Sequence, residues 1–319
     1  MRNLPRLLLW TDTPGPYIEA IAAAGLSDRA TIETLGRSEK PSDTQRAETN
    51  VLLAIGVPPG LLPTMPNLSW AQALTAGVEG WLALPDLPAG LTLTSARGTH
   101  RESMPENILG ALFHITKPYA AIAEDQKQRL WRNRIATPLN GTTLGILGLG
   151  AIGQEVARLG SALGMTVIGT KRRPTALPGL AEVFPTERTA EVLARSDFVV
   201  LLLPATPETD NFINAERLGQ MNAGAWLLNF GRGHLIKDDD LIAAVQAGTI
   251  AGAVLDVFRQ EPLPKDHKFW TTEGILVLPH IGGPHPNRDS IVAKLFAENL
   301  RRFLDGDPLK EVVDRAAGY

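Results

Sequence analysis

Apolar residues along this chain follow two rhythms. Up to about residue 100, short apolar runs at 7–10, 51–55, 68–71 and 91–94 stand between proline- and glycine-rich stretches. These predict strands, with a helix over 18–24 closed by Gly25. From Met104 the pattern changes. Pro105-Glu106-Asn107 opens a long helix through Ile108, Leu112 and Ile115, bent or ended before Pro118. Continuous apolar runs then alternate with helical patterns. Strands are predicted at 143–147, 165–169, 198–202, 225–229, 252–257 and 275–278, and helices include 154–163 and 239–246. Strands that are apolar throughout and alternate with helices predict a parallel sheet covered on both faces. A last helix over 289–303, ended by Gly306, is placed to return to the first unit. The expected organisation is a small discontinuous α/β unit from 1–100 and 287–319, with a doubly wound unit over 101–286 between them.

Composition narrows the function classes. A chain of 319 residues with 44% hydrophobic and 20% charged residues suggests two globular domains. Its 31 Lys+Arg against 34 Asp+Glu give a formal net charge of -3, so no polyanion-binding field is expected and nucleic acid is disfavoured as a partner. With Cys 0 there is no disulfide framework, thiolate metal site or cysteine nucleophile. Arg2 and Arg6 flank too short an apolar core for a signal peptide. The longest apolar runs, such as 198–203, fall far below the ~20 residues that span a bilayer. A cytoplasmic protein without a membrane partner is expected.

Gly148-Leu149-Gly150-Ala151-Ile152-Gly153 follows a predicted strand and opens a predicted helix, the context in which G-x-G-x-x-G reads as a dinucleotide-binding turn. The first glycine permits the tight turn and the second lets backbone approach a pyrophosphate. The third lets helix and strand pack closely, while the helix N-terminus attracts the anion. About 20 residues on, an acid would ordinarily hold the ribose 2′-hydroxyl. Here the chain has Lys171-Arg172-Arg173. A carboxylate would repel a 2′-phosphate, whereas cations pair with it and arginine grips it bidentately, so NADP(H) is expected over NAD(H). Arg172 is the first choice for the phosphate. A solvated basic loop is the bland alternative.

Ligands in an open α/β sheet gather outside the carboxyl ends of its strands. Three polar residues fall there: Arg232 after the strand ending at Asn229, Glu261 beyond the one ending near Val257, and His280 after the last. Reduction of a 2-keto acid needs a proton donor, for which histidine is suited, and a carboxylate on its second nitrogen fixes the tautomer. Arginine holds the substrate carboxylate and polarises the carbonyl. Each residue alone is as readily structural; their joint placement beside a nucleotide turn favours chemistry. No close His/Asp/Glu cluster suggests a metal site. His100 and His285 are expected to make local loop contacts. Packing is expected of at least two among Trp81, Trp131 and Trp270.

Further motifs are Leu203-Pro204-Ala205-Thr206-Pro207-Glu208-Thr209, Asn229-Phe230-Gly231-Arg232-Gly233, Leu255-Asp256-Val257-Phe258-Arg259-Gln260-Glu261-Pro262-Leu263-Pro264 and Pro279-His280-Ile281-Gly282-Gly283. With the glycine turn, they make the chain resemble the D-isomer-specific 2-hydroxyacid dehydrogenases, especially the glyoxylate/hydroxypyruvate reductase-like members, through most of residues 70–319. The resemblance implies a Rossmann cofactor domain with a smaller flavodoxin-like substrate domain, and a homodimer. It implies Arg232, Glu261 and His280 as the catalytic set, and Asp256 on the nicotinamide carboxamide. Gly148, Gly150, Ala151, Ile152, Gly153, Leu203, Pro204, Thr209, Phe230, Gly231 and Gly282 would line the cofactor site with the three cations. Backbone amides of Ala76, Gly77 and Val78 would take the substrate carboxylate beside Arg232 and His280. Lys171 departs from the acid of NAD-using members, and the segment after Gly282 differs from the common small-residue stretch, which leaves the choice of keto acid open. A nucleotide-sensing corepressor-like protein and a phosphite oxidoreductase on the same scaffold are the competing readings.

Overall fold

A computed structural model of the chain describes residues 4–318, so Arg2 lies outside the described residues. The chain divides into two compact units. One gathers the residues up to Thr99 and those from His285 onward; the other spans His100–Pro284.

The first unit is built on β1 (Arg6–Trp10), β2 (Thr31–Leu35), β3 (Thr49–Ala54), β4 (Trp70–Ala73) and β5 (Thr92–Thr94). All its ladders are parallel and the order is β2-β1-β3-β4-β5, that of flavodoxin. The helix Arg288–Asp305 explains why the unit is discontinuous. Its Val292, Ala293, Phe296 and Leu300 pack with Tyr17, Ile21, Leu7, Leu9 and Trp70 in one core, and Trp70 stacks on Phe296 with ring centroids 5.2 Å apart. Without it, one face of the sheet would lie bare to water. The helix ends on Gly306 at φ 77°, a left-handed cap that glycine adopts without strain.

Glu298 on this helix accepts from Arg301 and Arg302, with Lys310 3.4 Å away, and those cations pull its carboxyl down to about 2. The folded value lies below the unfolded one, so this contribution is present above the ordinary carboxylate range and is lost as pH falls from about 4.5 towards 2. The pairs are partly exposed, so E298Q should remove about 1 kcal/mol at neutral pH, a drop in Tm of roughly 2–4 °C. Melting curves across acid pH should show that difference vanishing; a constant difference would contradict the assignment.

The second unit holds β6 (Thr143–Leu147), β7 (Thr166–Thr170), β8 (Glu182–Phe184), β9 (Phe198–Leu201), β10 (Trp226–Asn229), β11 (Gly252–Leu255) and β12 (Ile275–Val277). They form a parallel sheet in the order β12-β11-β10-β9-β6-β7-β8. Separate apolar clusters, one including Leu201 and Leu227 and another Leu144 and Val200, cover the two faces, which is why the strands read as unbroken apolar runs. The order reverses between β6 and β9, and this switch point is where such sheets bind ligands.

Three features differ from the sequence reading. β4 runs two residues later than the predicted 68–71, directly after Ser69, whose amide donates to the Asn50 carbonyl at 3.0 Å and whose carbonyl accepts from the Thr92 amide at 3.1 Å. Edge strands β2 and β8 carry polar exposed residues and give no apolar run. A helix at Tyr119–Lys127 restarts directly after Pro118. No helix among the described residues is long and apolar enough to cross a membrane.

Candidate active site

Because every strand of the second sheet runs the same way, the loops after β6, β7, β9, β10, β11 and β12 all open on one rim. The glycine turn follows β6, and its three glycines stand in three different surroundings. Gly148 sits at φ 111°, and a Cβ there would lie 2.7 Å from the Leu202 carbonyl oxygen on the loop after β9. A Cβ on Gly153 would lie 2.4 Å from the Gly148 oxygen, so helix Ala151–Ala162 approaches its strand only because that residue is bare. Gly150 is different. Its φ of -80° suits any residue, and a Cβ there meets nothing within 4 Å. Neither backbone nor packing requires glycine at 150, and its bare Cα leaves open space at the start of the helix. Gly150 is also the N-cap of that helix, whose first turn has no side-chain cap and includes Ala151 and Ile152. Backbone N–H groups at an uncapped helix start, beside a bare Cα, fit a pyrophosphate.

Lys171 follows β7, its amide donating to the Phe184 carbonyl at 2.9 Å; it is half-buried, while Arg172 and Arg173 are exposed. Glu208, in the loop after β9, is held below the usual carboxylate range by the Thr206 hydroxyl first, then by its own backbone, with the charge of Arg172 adding to them. In the same loop Thr209 Oγ1 donates to the Pro204 carbonyl at 2.7 Å and accepts from the Thr206 amide at 2.8 Å. That fixes the turn beyond Leu203.

After β10, the fully buried Asn229 staples the next loop. Its Oδ1 accepts from the Gly231 amide at 3.1 Å, and its Nδ2 donates to the Arg232 carbonyl at 2.9 Å. Phe230 is buried, and a Cβ on Gly231 would lie 2.9 Å from the Leu203 oxygen, so this loop lies against the one after β9. Arg232 is half-buried, with Nη1 on the Gly231 carbonyl at 2.8 Å. Sequence reasoning left Asn229 out of the site. Its place between an apolar strand and the glycine-flanked arginine was the available signal.

Asp256, after β11, is fully buried. Its Oδ1 accepts from the Ile281 amide at 2.8 Å and its Oδ2 from the Gly282 amide at 3.0 Å. Burial pushes its carboxyl up, opposed by these two amides. The grip fixes the chain just past His280, and a Cβ on Gly282 would lie 2.7 Å from Asp256 Oδ2. Glu261 joins two partners: Oε1 accepts from the Phe258 amide at 2.9 Å, and Oε2 lies 2.6 Å from His280 Nδ1. A carboxylate only accepts, so Nδ1 carries the hydrogen and Nε2 is left for proton exchange. His280 stands at φ 53°, in the left-handed region, with its side chain half exposed. The structure thus joins Glu261 to His280 directly and puts Arg232 on the neighbouring loop.

Ala76, Gly77 and Val78 follow β4 in the first unit, where Thr75 Oγ1 donates to the Gly77 carbonyl at 2.6 Å. His100 stands against Gly283, and the His285 carbonyl accepts from the Arg288 amide at 3.1 Å. Packing clearly holds for Trp81, which is buried, but not for Trp131, which is 97% exposed on a segment outside helix and strand; Trp270 is half exposed. Among the described residues no group of three or more His, Asp or Glu is placed to hold a metal ion.

The family pattern described as D-isomer specific 2-hydroxyacid dehydrogenase, NAD binding domain, matches residues 109–282. Glyoxylate/hydroxypyruvate reductase A of Yersinia enterocolitica is 31% identical over 95% of this chain and 98% of its own. A crystal structure of a D-isomer specific 2-hydroxyacid dehydrogenase family protein from Aeromonas salmonicida superposes with a TM-score of 0.87 at 33% identity, covering 98% of this chain and 99% of that one. An NADPH-dependent glyoxylate/hydroxypyruvate reductase from Sinorhizobium meliloti, solved with NADP and sulfate, gives a TM-score of 0.85 at 28% identity over 99% and 100% of the two chains. The chain belongs to the D-isomer specific 2-hydroxyacid dehydrogenase family, oxidoreductases acting on a CH–OH group, and carries that family's NAD-binding domain.

Proposed function

We propose that the protein is an NADPH-dependent reductase of small 2-keto acids, of the glyoxylate or hydroxypyruvate type, yielding the D-2-hydroxy acid. The observation that carries this reading is the Glu261–His280 pair, 2.6 Å apart, on the same rim as the bare Gly150 and the cations of Lys171-Arg172-Arg173. The name of the Yersinia relative and the NADP bound in the Sinorhizobium structure support it.

When bound, the reduced nicotinamide supplies hydride to the carbonyl carbon. His280 gives the proton that the carbonyl oxygen then needs, from Nε2, while Glu261 holds the tautomer and offsets the ring's positive charge. Arg232 pairs with the substrate carboxylate and polarises the carbonyl, and the amides of Ala76, Gly77 and Val78 are assigned to the same carboxylate. Asp256, beyond its hold on residues 281 and 282, is assigned to the carboxamide. Steady-state turnover of a keto-acid panel with NADPH and NADH tests the reading. Consumption of NADPH by glyoxylate or hydroxypyruvate is expected; NADPH binding without turnover would favour the sensor, and turnover of phosphite with NADP the phosphite oxidoreductase.

The same reading includes a homodimer. Trp131 and Ile135 are 97% and 95% exposed, yet the segment that displays them is anchored. The buried Asp125 carboxylate pairs with Arg132 at 3.3 Å and Arg134 at 2.7 Å, and the Thr137 amide donates to the Thr116 carbonyl at 2.9 Å. Two bare apolar side chains on a fixed arm suit a self-complementary contact with a second copy. Sedimentation should give twice the 34.3 kDa chain mass, and W131E should give the single chain. Monomeric wild-type protein would contradict the assignment.

A further inference from the structure

We infer that Arg259 is a positioning residue that clamps the loop carrying Arg232 to the loop carrying Glu261, and through it sets the tautomer of His280. The inference rests on the reading of those three residues as the catalytic set. The two loops meet backbone to backbone: a Cβ on Gly233 would lie 1.9 Å from the Phe258 carbonyl carbon and 2.3 Å from the Arg259 nitrogen. No side chain fits in the seam at Gly233, so the apolar cluster that Leu235, Ile236 and Phe258 share joins the loops beside it and not through it. Arg259 reaches across it instead. Its Nη2 donates to the carbonyls of His234 at 3.0 Å and Ile236 at 2.7 Å, and its Nε also donates to Ile236 at 3.0 Å. These carbonyls belong to and follow the short turn Gly233–Leu235, directly after Arg232.

The rest of the guanidinium anchors the pair of loops to a third segment. Nη2 meets Asn211 Oδ1 at 2.5 Å and Nη1 meets Asp210 Oδ1 at 3.2 Å, while the Asn211 amide itself donates to the His234 carbonyl at 2.8 Å. Asp238, itself 3.4 Å from His267, adds its charge 3.8 Å from Nε. Only a planar fork with several donors satisfies acceptors so spread. Arg259 lies two residues before Glu261 and adjoins Phe258, whose amide holds Glu261 Oε1. What Arg259 fixes is therefore the backbone that aims Glu261 at His280 Nδ1. Glu261 is the group within hydrogen-bond distance of His280 Nδ1, and Asp256 acts on the ring only through its charge, so a loosened Glu261 releases the hold on the Nδ1–H form.

The test compares R259A and R259K with the wild-type chain, using histidine side-chain 15N spectra and steady-state kinetics. At a pH where the ring is neutral, wild-type His280, assigned from its loss in H280N, should show the Nδ1–H tautomer, and R259A should show a mixture or the Nε2–H form. kcat of R259A should fall about 10- to 100-fold with KM for the keto acid little changed. Added guanidinium ion should restore much of it, and R259K should recover only part, since a point charge cannot span the carbonyls. A folded R259A with the wild-type tautomer and kcat would overturn the inference, as would a loss that follows Tm alone and resists guanidinium. If R259A does not fold, the tautomer in R259K decides. The spectra need no substrate, so a wild-type protein that reduces no keto acid would sink the functional reading while leaving the clamp testable.

Discussion

Replacing His280 with asparagine should lower kcat for keto-acid reduction by about 10²–10⁴-fold, the range supplied by general acid catalysis, while leaving NADPH binding nearly unchanged. Asparagine is the informative replacement because His280 stands at φ 53°. Asparagine is among the few residues that tolerate the left-handed region, so the backbone after β12 keeps its course and Asp256 keeps the amides of Ile281 and Gly282. The loss then reports on the imidazole alone. The variant leaves Glu261 Oε1 on the Phe258 amide and removes only the proton that Nε2 would deliver. A kcat near wild type, measured where the chemical step limits the rate, would remove His280 from the mechanism. A parallel loss of cofactor affinity would mean that the loop had moved.

The second large effect concerns the cofactor. Replacing both Arg172 and Arg173 with alanine should weaken NADPH by ~2–4 kcal/mol, about 30- to 700-fold, if each contributes a charge-assisted contact to the 2′-phosphate. NADH affinity should fall far less, because NADH lacks the 2′-phosphate to which those side chains are assigned. Both arginines are exposed and belong to the turn directly after β7, so their removal leaves the sheet and the Lys171–Phe184 backbone bond intact. Equal losses for the two cofactors, measured by fluorescence titration, would contradict the phosphate assignment. Arg172 also feels the Glu208 carboxylate, so the single variants should be unequal.

Much of this was legible in the sequence because the second sheet hides both faces. A strand covered on both sides must be apolar at every position, and such runs gave the boundaries of β6, β9 and β12 to within a residue. The roles of Gly148 and Gly153 were equally readable, since a turn and a close helix–strand approach admit no side chain. Edge strands β2 and β8 were not readable, because water satisfies one side and relaxes the pattern. Nor was Arg259. Its partners Asp210 and Asn211 lie 49 and 48 residues away in sequence, and no local rule connects an arginine in this loop to carbonyls it meets only after folding. Trp131 misled for a related reason: a large apolar side chain reads as core, whereas Asp125 and two arginines hold its segment out.

The measurement closest to the central claim follows a label. NADPH carrying deuterium at the transferable position is mixed with hydroxypyruvate and the enzyme in ordinary water, and the product is analysed for configuration and isotope. The account predicts the D-2-hydroxy acid with one deuterium on carbon 2 and none elsewhere. An unlabelled product, the L isomer, or NADPH that binds and is never consumed would contradict it.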